Sequence, residues 1–192
     1  AYNYIETLLP IFTVKALNWT NGSYSQFFAT AKIIGGIGGM LIGGILIDKF
    51  GKNRMMNIYF FSMVFFTAVL AFSKIYWKDS SFIYAFMILY NIVYTFACIG
   101  IFAIAMQCCW KKVSASQFTL YMTIGNLGRI ALAALIGPIT ANFNWQISIF
   151  AFAVMIAVAW FIMQFLNINK QVERVVDLEN KDAKTDLLLV SQ

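Results

Sequence analysis

The stretch Gly44-Ile45-Leu46-Ile47-Asp48-Lys49-Phe50-Gly51-Lys52-Asn53-Arg54 decides how this chain is read. Its first four residues finish an apolar run over 24–47, and its last gives way to another over 55–72. A helix needs about 20 apolar residues to cross a hydrocarbon core roughly 30 Å thick. Both runs have that length, so the charged stretch is a short turn at a membrane surface. Outward from it, 82–106, 118–143 and 145–166 are further spans of the same kind, and 2–14 is a partial one. Membrane spans satisfy their backbone internally, as helices or as closed barrels. Barrel strands alternate apolar and polar residues, which these runs do not. The expected fold is an all-α polytopic membrane bundle over 1–166, with five full spans and one partial, followed by a polar tail over 167–192.

Composition agrees. Of 192 residues, 61% are hydrophobic and 11% charged, and mean hydropathy is +0.75. A soluble domain could not cover that apolar surface with so few charges. The chain starts at Ala1 inside an apolar stretch, which reads as a piece whose upstream part lies outside it. Basic residues alternate in side: Lys49, Lys52 and Arg54, then Lys111 and Lys112, then Lys170, Arg174, Lys181 and Lys184. The intervening loops hold only Lys15, Lys74 and Lys78. By the positive-inside rule the C-terminus is cytoplasmic. The net charge of +6 then answers to anionic membrane lipid rather than to nucleic acid. The tail reads as a frayed helical extension followed by disorder, with a partner-binding tail as the alternative.

The chain has no histidine and no CxxC pair, so no metal site or cofactor is expected. The same lack of a nucleophile–base constellation argues against an enzyme. Cys108 and Cys109 near a span end are open to lipidation. Asn18-Trp19-Thr20 and Asn21-Gly22-Ser23 match the glycosylation pattern.

Polar residues inside the spans mark candidate sites. Glu6, Lys32 and Arg129 are the intramembrane charges, and such charges face cavities or pair with each other. Glu6 and Lys32 each lie eight residues, ~12 Å of helix, from the loop joining their spans. Lys32 and Arg129 are expected to make a cavity electropositive for an anionic small molecule. Glu6 would neutralise Lys32 in the empty state or titrate with protons; a purely structural Glu6–Lys32 pair is the alternative. The expected counter-ion of Arg129 is substrate, or a carboxylate outside this chain. Tyr84, Met87, Asn91, Tyr94, Thr95 and Cys98 recur at helical spacing, suited either to a hydrated cavity or to inter-helix hydrogen bonds. Thr119, Met122, Asn126 and Arg129 share another face, and Asn3, Glu6, Thr7 and Pro10 a third. Spans 145–166 and 55–72 are apolar nearly all round, as lipid-facing helices are.

Gly35, Gly39 and Gly43 fall four residues apart, a spacing that lets helices pack closely in lipid. That face is expected either to slide against another half of the molecule or to pack statically. Gly125, Gly128 and Gly137-Pro138 give their span latitude to bend. In the quoted stretch, Gly44 lets a neighbouring helix approach and Asp48 can face the positive N-terminus of another helix. Gly51 permits the tight turn, while Lys49, Lys52 and Arg54 hold the loop at the anionic surface.

The spacing G-x-x-x-D-K-x-G-K-x-R after a second span resembles the signature loop of the major facilitator superfamily. The resemblance implies that the six segments are helices seven to twelve, the C-terminal half of a secondary transporter whose partner is its own N-terminal half. Further stretches are similar to the branch of AmpG-type muropeptide permeases and acetyl-CoA transporters. These are Pro10-Ile11-Phe12, Trp19, Tyr24-Ser25-Gln26, Thr30-Ala31-Lys32, Ser116-Gln117-Phe118-Thr119-Leu120, Gly125-Asn126-Leu127-Gly128-Arg129 and Gly137-Pro138. That branch implies proton-driven import of an anionic conjugate such as an anhydro-muropeptide across a bacterial inner membrane, with Lys32 and Arg129 at its basic positions. The alternatives are transport of another organic anion, such as acetyl-CoA, and a non-transporting receptor or scaffold on the same fold.

Overall fold

The computed structural model describes residues 2–165 and 167–190, with the side chains of 2–5, 40, 183 and 185–190 outside the description. Every regular element among the described residues is helical. They run α1 (Tyr2–Leu17), α2 (Asn21–Phe50), α3 (Lys52–Phe72), α4 (Ser80–Gln107), α5 (Ser114–Asn142), α6 (Trp145–Gln164) and α7 (Ile168–Val190). Short 3-10 turns, Lys74–Lys78 and Lys111–Val113, precede α4 and α5. Five of these segments are long and apolar enough to cross a membrane, α5 together with the turn before it. The sequence-derived spans 24–47, 55–72, 82–106 and 118–143 fall within or end beside α2 to α5; the last ends at Leu166, outside the described residues.

Polar side chains set the helix starts. The Thr20 hydroxyl accepts from the Ser23 N–H at 3.1 Å, Asp79 from Ser81 at 2.9 Å, Asn144 from Ile147 at 2.9 Å and Asn167 from Lys170 at 3.0 Å. At the end of α3 the Trp77 indole donates to the Leu70 carbonyl at 2.8 Å, covering a group the helix leaves without a partner. Between α2 and α3, Gly51 sits at φ +84° and ψ 142°, a conformation that side chains resist.

The core is built from one stripe of each helix. On α3 it is Met56, Tyr59, Met63, Thr67 and Leu70; on α6 it is Ser148, Ile149, Phe152 and Ile156. These two helices, read as lipid-facing, lie against each other along their length, with Phe61 of α3 edge-on to Trp160 of α6 at 6.0 Å, while Phe65 on α3 and Val154 and Val158 on α6 stay exposed. Asn57 ties them at one end, accepting from the Trp160 indole at 2.8 Å and from the Gln164 amide. At the other end Phe12 of α1 meets Trp77 edge-on at 4.9 Å and Trp145 at 5.7 Å.

The glycine face of α2 is covered by α4. A Cβ on Gly35 would lie 3.0 Å from the Asn91 backbone, one on Gly39 would collide with Thr95, and one on Gly43 would lie 3.0 Å from Ile99. The sliding reading is therefore corrected: this face is packed inside the same bundle. A π-helical turn over Gly39–Gly43 sits within the contact. Gly44 and Gly36 have nothing within 4 Å of a built Cβ, so among the described residues no helix uses Gly44 for close approach.

Of the two remaining segments, only the second differs from expectation. α5 is a single helix through Pro138 and is the least covered span; Ile136 is its one buried residue among those described. The tail, read as frayed and then disordered, continues as α7 to Val190, because its apolar and charged residues are amphipathic at helical spacing.

Candidate functional site

Glu6 of α1 and Lys32 of α2 form an ion pair. About a third of each side chain remains exposed (28% for Glu6, 34% for Lys32), so the pair borders open space rather than being sealed in the core. The Lys32 ammonium also lies 4.8 Å from the Tyr94 ring centroid and 5.2 Å from that of Phe28. Aromatic faces attract a cation most where water is scarce. A single lysine is thus held by one carboxylate from α1, its own helix's Phe28 and α4's Tyr94.

Two tyrosines complete the surroundings. Tyr24 stacks on Phe28 at 5.4 Å, and both Tyr24 and Tyr90 lie within electrostatic reach of Glu6. The Tyr90 side chain is 3% exposed, and its hydroxyl makes no hydrogen bond with the described protein groups. A buried hydroxyl in that condition is costly unless water or a ligand reaches it. Cys98, one turn beyond Tyr94, lines a cavity of about 180 Å³ with Phe60, Met63, Tyr94, Ile101 and Ile156.

The sequence-derived candidates divide accordingly. Glu6, Lys32 and Tyr94 come together. Asn91 is turned away: it is 4% exposed, packs its backbone under Gly35, and donates from its amide to the Met87 carbonyl at 2.7 Å within its own helix. Thr95 likewise donates to the Asn91 carbonyl at 2.8 Å, so Asn91 and Thr95 satisfy themselves along α4, while Tyr94 and Tyr84 of the same stripe meet Lys32 and Phe27 of α2. Asn126 and Arg129 lie on the exposed face of α5, where a Cβ on Gly125 or Gly128 would meet nothing within 4 Å. Arg129 nonetheless interacts within the chain. Asn3, grouped with Glu6 by spacing, has its side chain outside the description.

Tyr24, Phe28 and Tyr90 were missed from the sequence. Their signal was spacing: Tyr24, Phe28 and Lys32 are four residues apart on α2, as are Tyr90 and Tyr94 on α4. Tyr94 stands in the stripe read from the sequence, whereas Phe28 and Tyr90 stand in none.

At the basic end, Asp48, Lys49 and Arg54 are exposed around the Gly51 turn. Lys52, Asn53 and Arg54 line a groove of about 650 Å³ with Gln107 of α4 and Asn169 and Glu173 of α7. Beside it an apolar cavity of about 640 Å³ lies among Met56, Phe60, Ile104, Tyr121, Met163 and Ile168. Burial and neighbouring Cys109 hold the Cys108 thiol above its ordinary value, against the opposing pull of Lys52.

No curated protein and no solved structure matches the chain. The family model of the Major Facilitator Superfamily matches residues 1–133. That match takes in α1 to α4, the ion pair, the Gly51 turn and most of α5. With its helical bundle and five membrane-length spans, the chain is an integral multi-pass membrane protein and belongs to the Major Facilitator Superfamily of secondary transporters.

Proposed function

We propose that the chain is the C-terminal six-helix half of a proton-coupled transporter that imports an anionic solute by alternating access. The observation that carries this reading is the Glu6–Lys32 pair, partly exposed, with Lys32 on a helix long and apolar enough to cross a membrane and Glu6 on the helix before it. A charge in the bilayer needs a counter-charge at every stage. Glu6 supplies it when the site is empty. An anion reaching Lys32 takes the place of Glu6, and a proton taken up with it onto the displaced carboxylate keeps the charges balanced. Substrate and proton thus enter the site together, with no unpaired charge in the bilayer. Arg129, exposed on α5, adds positive potential toward the half of the cavity that this chain does not build. Alternation of basic loops supports a cytoplasmic basic end and C-terminus. The sequence likeness to AmpG-type permeases makes an anhydro-muropeptide the first substrate to try and a bacterial inner membrane the setting.

The test is uptake of radiolabelled anhydro-muropeptide into proteoliposomes of the complete transporter under an imposed proton gradient. Wild type is expected to accumulate it, Lys32→Ala and Arg129→Ala to lose uptake while inserting normally, and Glu6→Gln to lose its response to the gradient. Absence of uptake by competent wild-type vesicles rejects this substrate. Full activity in the Lys32 and Arg129 variants rejects the anion-binding cavity.

A further inference from the structure

The tail helix α7 carries a mixed stripe on one face. Ile168, Val172, Val175, Glu179 and Asp182 follow one another at intervals of four, three, four and three residues. Val175 is buried, and the other four are the half-buried positions of α7 among the described residues. One face of the helix is therefore turned to the bundle, apolar in its first half and acidic in its second. Two residues on from it, Lys170, Arg174, Asp177, Lys181 and Lys184 form the opposite, outward face.

The apolar half of the stripe lies along the Gly51 turn: Ile168 and Val172 line the same groove as Phe50, Lys52 and Arg54. The acidic half meets the turn between α4 and α5. Glu179 pairs with Lys111 at 3.0 Å, and Asp182 with Lys112 at 3.1 Å. Lys112 also lies 5.9 Å from the Trp110 ring, whose backbone N–H donates to Gln117 at the start of α5 at 2.7 Å. The paired turn thus leads directly into α5. That helix has no buried residue from Ser114 to Leu135, and its first buried side chain is Ile136, near the opposite end.

We propose that α7 is a strap across the basic end of the bundle, and that its two ion pairs set the position of the α4–α5 turn and of the first half of α5. The pairs are built to open. Lys111 and Lys112 keep 84% and 53% of their side chains exposed, and ion pairs that wet are weak and screened by salt. Their lysines also lie where anionic lipid headgroups compete for them. The strap is therefore a device that lets α5, the least anchored span, be held or released from its basic end. It stands independently of what the site around Lys32 binds.

Hydrogen exchange on the complete protein in lipid nanodiscs tests it. Glu179→Lys with Asp182→Lys is expected to speed exchange by about three- to tenfold in 168–182 and 108–117, with the α3 and α6 core peptides unchanged. Adding Lys111→Glu and Lys112→Glu, which swaps the charges, is expected to restore slow exchange in both segments. Raised salt should reproduce the same confined loss in the wild type. Unchanged exchange in the double variant, loss that spreads into the α3 and α6 core, or failure of the swap to restore protection would each overturn the proposal.

Discussion

At the scale of single residues, the Lys32 charge is set against specific compensating groups, Glu6 and the rings of Phe28 and Tyr94. Removing Glu6 leaves Lys32, among the described residues, with the ring faces of Phe28 and Tyr94. Glu6→Gln is expected to destabilise by roughly 1–2 kcal/mol, below the roughly 3–5 kcal/mol of a fully buried pair, because the pair is a third exposed. Glu6→Gln with Lys32→Met should recover much of that loss. Thermal unfolding of the four members of this cycle in detergent measures it, and additive losses would show that the two residues do not act as a pair. Cys108 gives a second check at this scale. With its thiol raised by burial and by Cys109, the thiolate fraction near neutral pH falls below that of a free thiol. Maleimide labelling mapped by mass spectrometry should be slower at Cys108 than for glutathione near neutral pH, and should still climb as pH rises through the ordinary thiol range. Lys52→Ala removes the opposing pull and should slow the labelling further.

Among the elements, the contact of α2 with α4 is the tightest. Gly39→Val is expected to cost about 1–3 kcal/mol by overpacking against Thr95. Thr95→Ala should relieve part of it, and Gly36→Ala, in open space, should stay within about 0.5 kcal/mol of wild type. Equal losses at Gly36 and Gly39 in detergent thermostability would contradict the assignment of the packed face. The turn joining α2 to α3 gives the companion prediction. Gly51 adopts φ +84° and ψ 142°, so Gly51→Ala should cost on the order of 1–3 kcal/mol through backbone strain alone. The same thermostability assay reads it. The spacing of glycines made a close-packed face legible in advance, but not its partner. Which helix covers a small-residue stripe depends on how the bundle closes, and no local pattern encodes that.

On the scale of the whole molecule, α5 stands apart. Its exposed face carries Asn126 and Arg129 beside Leu127 and Ile130, a mixture that lipid alone does not suit. Under the proposed architecture a second six-helix half covers it. These 192 residues alone, purified and reconstituted, should therefore show no gradient-driven uptake, and co-expression with the other half should restore it. Uptake by this chain alone would mean that α5 finds its partner in a second copy.

Read without any structure, the chain determines its solvent, its helices and its turns. Runs of about 20 apolar residues admit few alternatives in a bilayer, and a glycine between charged residues at a span end marks a turn. It also determines which groups are costly, because a charge in a membrane span is conspicuous wherever it sits. Apart from the Glu6–Lys32 pair, which matching depths suggested, tertiary structure decided who meets whom. It put Tyr94 and Phe28 on Lys32, turned Asn91 back onto its own helix, laid α3 against α6, and brought Glu179 and Asp182 to Lys111 and Lys112. The reason is physical. Solvent preference and backbone satisfaction are properties of a segment by itself. The partner of a side chain depends on the relative rotation and depth of two helices, set by packing summed over the whole bundle.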